Sequence, residues 1–166
     1  SKQFVHINGE YYDIVINGNS LQFQLKNNDF SKIGLLLRKV LSFNELVKNT
    51  INISMGFNFN WILDIEKGSF RKISKDLFFK SDNPIHELFN NENACFGSYL
   101  STDFEKSRLK LDIKPVLLSN DNEDGSLNFN FNFHFDFNDE NRNNLDELIN
   151  SWNIYFEESQ KIINKI

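Results

Sequence analysis

The stretch from Asn128 to Asn138 reads N-F-N-F-N-F-H-F-D-F-N, with Phe129, Phe131, Phe133, Phe135 and Phe137 at every second position. Asn128, Asn130, Asn132, His134, Asp136 and Asn138 fill the gaps. A period of two is the signature of a β-strand with one buried and one wet face. On a helix the same rings would scatter around the whole circumference. The predicted strand is about 36 Å long at roughly 3.3 Å per residue. Such a face of rings needs a cover, and a candidate follows directly. Leu145, Leu148, Ile149, Trp152, Tyr155, Phe156, Ile162, Ile163 and Ile166 recur at helical spacing. Asp139 is positioned to cap this helix, and Glu140 suits its first turn. The spacing predicts one helix of about 27 residues, roughly 40 Å, matching the strand in length.

A second stretch repeats the pattern. Between Ile51 and Ile65, Met55, Phe57, Phe59, Trp61 and Leu63 share one face, and Asn58, Asn60 and Asp64 share the other. The two strands therefore belong on one core face. As direct neighbours, their rings would pair across strands.

The N-terminal segment predicts a three-stranded meander. Phe4 to Ile7, Tyr11 to Ile16, and the alternating Leu21, Phe23 and Leu25 are its strands. Asn8-Gly9 and Asn17-Gly18 supply the turn residues that favour positive φ. Asn28 or Asp29 then caps a helix whose stripe, from Phe30 to Val47, carries it to about Lys48. Residues 66–93 are the least regular part, of the kind often tied to function. Lys67-Gly68 reads as a turn. Phe70, Ile73, Leu77, Phe78 and Phe79 read as a short strand or loop. Ser81-Asp82-Asn83-Pro84 is a helix start with Pro84 at the first helical position, leading into Ile85 to Phe89.

Ala94 to Phe104 reads as a strand with a bulge at Gly97. After a tight connection at Glu105-Lys106-Ser107 comes Arg108 to Leu118. Here Leu109, Leu111 and Ile113 point inward, and Arg108, Lys110, Asp112 and Lys114 point outward. Pro115 favours an edge or a strand end. Ser119 to Gly125 is a polar loop. The expectation is one α+β domain over residues 1–166: a curved antiparallel sheet of about six to seven strands, with the early helix and the long C-terminal helix packed on one face.

Composition narrows the function. The net charge of −5 argues against nonspecific nucleic-acid binding. The charge is uneven: Lys67 to Lys80 is basic, and Asn120 to Asn150 is acidic. A single cysteine, Cys95, excludes an internal disulfide and a cysteine zinc site, and suits a reducing, cytoplasmic setting. No apolar run approaches the ~20 residues of a membrane span. Ser1-Lys2-Gln3-Phe4 does not read as a signal peptide. The 18 Phe and the many Asn fit an AT-rich coding genome.

No glycine-rich nucleotide loop, metalloprotease motif, nucleophile elbow or EF-hand occurs in the sequence. The run Asp121-Asn122-Glu123-Asp124-Gly125 lacks calcium-loop spacing. His6, His86 and His134 are far apart in sequence, so no metal or other cofactor is expected. His134 and Asp136 share a strand face, an arrangement compatible with proton transfer but ordinary on a surface. Cys95 reads as an inert thiol. The expectation is a non-enzymatic protein.

The polar sheet face offers the candidate partner-binding residues: Asn58 and Asn60 from one strand, Asn130, Asn132, His134 and Asp136 (with Asn128) from another, and Lys110 and Lys114 from a third. A solvated antiparallel face would look the same. A long ring-bearing strand is an aggregation hazard at an edge, so the 128–138 strand is expected to be central or paired with another subunit.

At S-L-N-F-N-F-N-F-H-F-D-F running into the C-terminal helix, the chain resembles the SecB-like export chaperones and their toxin–antitoxin relatives. That resemblance implies a small acidic cytoplasmic protein that oligomerises and holds unfolded clients; the missing catalytic motifs, the acidic charge and the amide-rich face also admit an adaptor in a defence or regulatory system. The added N-terminal meander and early helix depart from it. The chain is also similar to helix-grip, START-like proteins. That alternative implies an apolar small molecule held between the Phe-rich face and the C-terminal helix.

Overall fold

The computed structural model describes residues 4–18, 20–27, 29–46, 54–65, 70–117, 124–137 and 145–166. The fold is α+β, with seven antiparallel strands among the described residues. These strands form two sheets, of three and four strands, rather than the single sheet expected. The chain divides into two compact units, one of residues 1–52 and 139–152, the other of residues 53–138 and 153–166. Sequence periodicity reports which face of a strand is dry. It does not report which strands share a ladder.

The first unit holds β1 (Phe4–Asn8), β2 (Tyr12–Asn17) and β3 (Ser20–Leu25), the expected meander in the order β1-β2-β3. Gly18 has φ +59° as the first residue of the reversal between the paired Asn17 and Ser20, one residue later than the Asn17-Gly18 turn expected. The first turn also differs. Gly9 N–H donates to Tyr12 O (3.1 Å), so the chain reverses at Glu10-Tyr11, two residues later than expected. Gly9 is needed there for space, since a Cβ would lie 2.4 Å from Tyr12 O. Asp29 caps a short 3-10 turn (Phe30–Lys32) by accepting from Ser31 N–H, and α1 follows (Ile33–Leu46). Its continuation to Lys48 lies outside the described residues. Phe43 of α1 meets Phe23 of β3 edge-on at 6.0 Å. α4 (Leu145–Asn150) packs near α1, where Asn44 Nδ2 donates to Asp146 Oδ1 (2.9 Å).

The second unit holds β4 (Ser54–Ile65), α2 (Phe70–Phe78), α3 (Pro84–Leu88), β5 (Ser98–Phe104), β6 (Ser107–Leu117), β7 (Gly125–Asp136) and most of α5 (Trp152–Ile163). The sheet order is β4-β7-β6-β5. The two Phe/Asn strands are therefore direct neighbours, and β7 is central. Phe57, Phe59 and Trp61 stand opposite Phe133, Phe131 and Phe129. Phe129, Phe131, Phe133 and Phe135 are between 0% and 3% exposed. Leu109, Leu111 and Ile113 of β6 extend this floor. Phe137 lies just past the end of the strand.

The C-terminal helix is not continuous. It breaks at Ser151, whose N–H is shared between Glu147 O (3.0 Å) and Leu148 O (3.1 Å) and whose Oγ donates to Leu148 O (2.8 Å). Side-chain back-bonding of this kind loosens a helix, and an apolar stripe running through both halves hides it. The expected cap at Asp139 lies outside the described residues. The part lying on the Phe floor is α5, of 12 residues or about 18 Å, so it covers part of the strands rather than their whole length. Tyr155 is its keystone, with ring centroids 5.4 Å from Phe57, 5.8 Å from Phe104, 5.2 Å from Phe133 and 5.1 Å from Phe135. Phe156 meets Phe59 and Trp61, each at 5.6 Å. The indole N–H of Trp61 donates to Ser159 Oγ (3.1 Å), which donates on to Phe156 O (2.7 Å), so this buried polar pair is satisfied.

The middle section is helical where a strand or loop was expected. Phe70, Ile73, Ser74 and Leu77 fall at helical spacing in α2, and Phe70 and Ser74 are buried. A short apolar run fits either period, and here the tertiary partner decides. Ser74 Oγ donates to Phe96 O (2.8 Å) and accepts from Phe96 N–H (2.6 Å). Pro84 opens α3 as expected, with Asn83 as its cap. The turn at Lys67-Gly68 and the loop at 118–123 lie outside the described residues. β5 starts at Ser98, so Gly97 precedes the strand instead of bulging within it. A Cβ on Gly97 would lie 2.1 Å from Ile113 O and 3.0 Å from Pro115 Cδ. Pro115 thus turns its missing N–H toward the side where β5 has not yet begun, inside an otherwise central strand.

Candidate functional site

Strand pleating sends Asn58, Asn60, Asn130, Asn132, His134, Lys110 and Lys114 to one face of the four-stranded sheet, with Asp136 at its end. The register orders them into rungs. Gly56, His134, Arg108 and Asp103 form one. Asn58, Asn132, Lys110 and Ser101 form the next, followed by Asn60, Asn130, Asp112 and Tyr99. Ile62, Asn128 and Lys114 close the series. Every residue expected on this face is brought together there.

The amides bond sideways along the rungs. Asn132 Nδ2 donates to Asn58 Oδ1 (2.7 Å). Asn60 Nδ2 donates to Asn130 Oδ1 (3.0 Å), and Asn130 Nδ2 reaches Asp112 O at 3.5 Å. His134 Nε2 and Asp136 Oδ1 are 3.1 Å apart on the exposed surface. Lys114 pairs with Asp112 (2.7 Å), and Arg108 with Asp103 (2.9 Å) and Ser101 Oγ (2.8 Å). Among the described residues Lys110 makes no ion pair. Asn128, between Ile62 and Lys114 in the register, has a buried Oδ1 with no hydrogen-bond partner among the described residues.

Sequence reasoning left Arg108, Asp112, Tyr99 and Ser101 out of the candidate set. The alternation of β6 already placed Arg108 and Asp112 outward. The β5 residues enter only through strand pairing, which has no local signal.

In this register His134 lies between Gly56 and Arg108, and Asp136 lies opposite Ser54, so the His134–Asp136 contact is a solvent-facing one at the end of the sheet. The other histidines lie elsewhere. His6 faces Asp13 (3.4 Å), and His86 Nδ1 accepts from Lys80 N–H (3.0 Å). Among the described residues no group of three His, Cys, Asp or Glu is arranged to hold a metal. Burial pushes the Cys95 thiol up, partly opposed by the charge of Arg71, which keeps it protonated at neutral pH. No described helix is long and apolar enough to cross a membrane.

Comparison with protein-family models, curated proteins and solved structures gives no match. The sheet face itself therefore carries the functional reading.

Proposed function

We propose that this chain is a non-enzymatic protein-binding module, chaperone-like or adaptor-like, that receives an extended polypeptide on the amide-rich face of the four-stranded sheet or along its strand edge. The carrying observation is the gathering of Asn58, Asn60, Asn130, Asn132, His134, Lys110 and Lys114 on one accessible face. Side-chain amides present both donors and acceptors, which suits a backbone of any sequence. Lys110, which makes no ion pair among the described residues, adds a donor for carbonyls or carboxylates. Protein clients or a second copy of the chain are the partners, in a cytoplasmic setting that suits one free thiol.

The test is fluorescence anisotropy with a labelled, permanently unfolded polypeptide. Binding is expected, and a Lys110→Ala/His134→Ala double variant is expected to weaken it about tenfold while melting like the parent. No binding up to about 100 µM, or binding indifferent to the double variant, overturns the reading.

A further inference from the structure

β4 is an edge strand. β7 pairs with its inner side along all 12 residues from Ser54 to Ile65, and no described strand pairs with its outer side. Within β4 itself the usual sequence protections of an edge are missing. β4 contains no proline and no lysine, its register with β7 runs without a bulge, and its one charge, Asp64, sits near an end. A row of N–H and C=O groups is left to be paired.

The side chains at this edge are polarised in opposite directions. Asn58 accepts with Oδ1 from Asn132 and keeps both hydrogens of Nδ2, which lies 3.8 Å from the Cβ position of Gly56. Asn60 donates one Nδ2 hydrogen to Asn130 and keeps Oδ1 as an acceptor. One rung ends in a donor and the next in an acceptor. That pair is complementary to itself under a two-fold rotation.

We propose that two copies of this chain join through β4, antiparallel about a two-fold axis at Phe59, so that their sheets run on edge to edge. The inference rests on the protein-binding reading of this sheet and names one partner for its edge. In this register Asn58 Nδ2 donates to Asn60 Oδ1 of the second copy, twice by symmetry. Ile62, which is 66% exposed, lies over Gly56 of the second copy, where the pleat has no side chain. Ser54 meets the second copy's Asp64, a hydroxyl donor facing a carboxylate. On the dry face Phe57 meets the second copy's Trp61, and Met55 meets its Leu63. A slip by one residue turns every ring to the wet face. The neighbouring two-residue registers set Asn58 against Asn58 or Asn60 against Asn60, and both move Ile62 off Gly56. The register centred on Phe59 joins the free Nδ2 of one amide to the free Oδ1 of the other and seats Ile62 over Gly56.

Size-exclusion chromatography with light scattering on the full chain tests this. The expected mass is twice the 19.6 kDa of the chain. Asn58→Asp keeps the oxygen that accepts from Asn132 and removes the free donor, so it is expected to weaken the dimer at least about tenfold with an unchanged melt. Ile62→Lys, at an exposed position, is expected to give monomer. In a Cys95→Ser background, Asn58→Cys and Asn60→Cys chains are expected to crosslink when mixed and not when separate. A monomer at about 100 µM, a dimer indifferent to both edge variants, or crosslinking of Asn58→Cys alone overturns the inference. A dimer that binds no unfolded polypeptide sinks the client reading and leaves this one standing. A monomer that binds clients does the reverse.

Discussion

β7 and β4 carry nearly the same pattern, F-N-F-N-F against F-N-F-N-W, in different places in one sheet. The β7 rings are sealed, with strands on both sides and α5 above. Those of β4 are only partly buried, and Phe59 and Trp61 meet Phe156 at 5.6 Å where Phe133 and Phe135 of β7 meet Tyr155 at 5.2 and 5.1 Å. On the polar face, Asn130 bonds toward strands on both sides, while Asn58 and Asn60 each bond to one. Local pattern thus assigns each side chain to a face. Place in the sheet decides whether both flanks of the strand are used.

The largest contrast is expected in the rings. Phe131→Ala opens a cavity at a site that is 1% exposed, and is expected to cost about 3–5 kcal/mol in chemical denaturation. Phe59→Ala, at the edge, is expected to cost at least about 1 kcal/mol less. Equal losses would break the comparison. A gap that narrows as protein concentration rises would sharpen it, because the proposed dimer would bury β4.

Glycines come next. A Cβ on Gly125, at the start of β7, would lie 2.5 Å from the buried Phe70 ring, so Gly125→Ala is expected to cost about 1–3 kcal/mol. A Cβ on Gly56 of β4 would first meet the movable Asn132 amide at 3.2 Å, so Gly56→Ala is expected to stay within about 0.5 kcal/mol of the parent. Thermal melts of the two variants check this, and a reversed order would refute the packing argument.

In the amide rungs, Asn132→Ala is expected to cost about 0.5–1.5 kcal/mol. A double-mutant cycle with Asn58→Ala should recover coupling for the 2.7 Å bond between them. Zero coupling would mean that the rung is not formed in solution.

The smallest effect is expected in the other sheet. Desolvation pushes the Asp13 carboxyl up, but hydrogen bonds with Lys26 and His6 outweigh it and leave it below its ordinary value of 3.8. A lowered carboxylate contributes stability that is present above pH 3.8 and lost as pH falls through the folded value. Melts on that acid side should fall less steeply for Asp13→Asn than for the parent. The same slope in both would remove Asp13 from the account.

Much of this was legible beforehand. The dry faces of β4, β6 and β7, the meander, the Pro84 helix start and the membership of the candidate face all follow from local alternation and turn chemistry. The helix α2 was not legible, because Phe70 to Phe79 is too short to distinguish periods without knowing that Ser74 would bond to Phe96. Nor was the break at Ser151, since Leu148, Ile149, Trp152 and Tyr155 keep a helical stripe across it.

By itself the sequence determined which side chains are dry and which are wet, because a pleated strand has only two faces and the rings occupy one of them. Tertiary structure alone decided that the strands form two sheets, which strands flank β7, and that among the described strands β4 has a neighbour on one side only. The reason is physical. Side-chain alternation is local to a strand, whereas ladder pairing is a contest among distant segments with similar faces, and no residue records the outcome in advance.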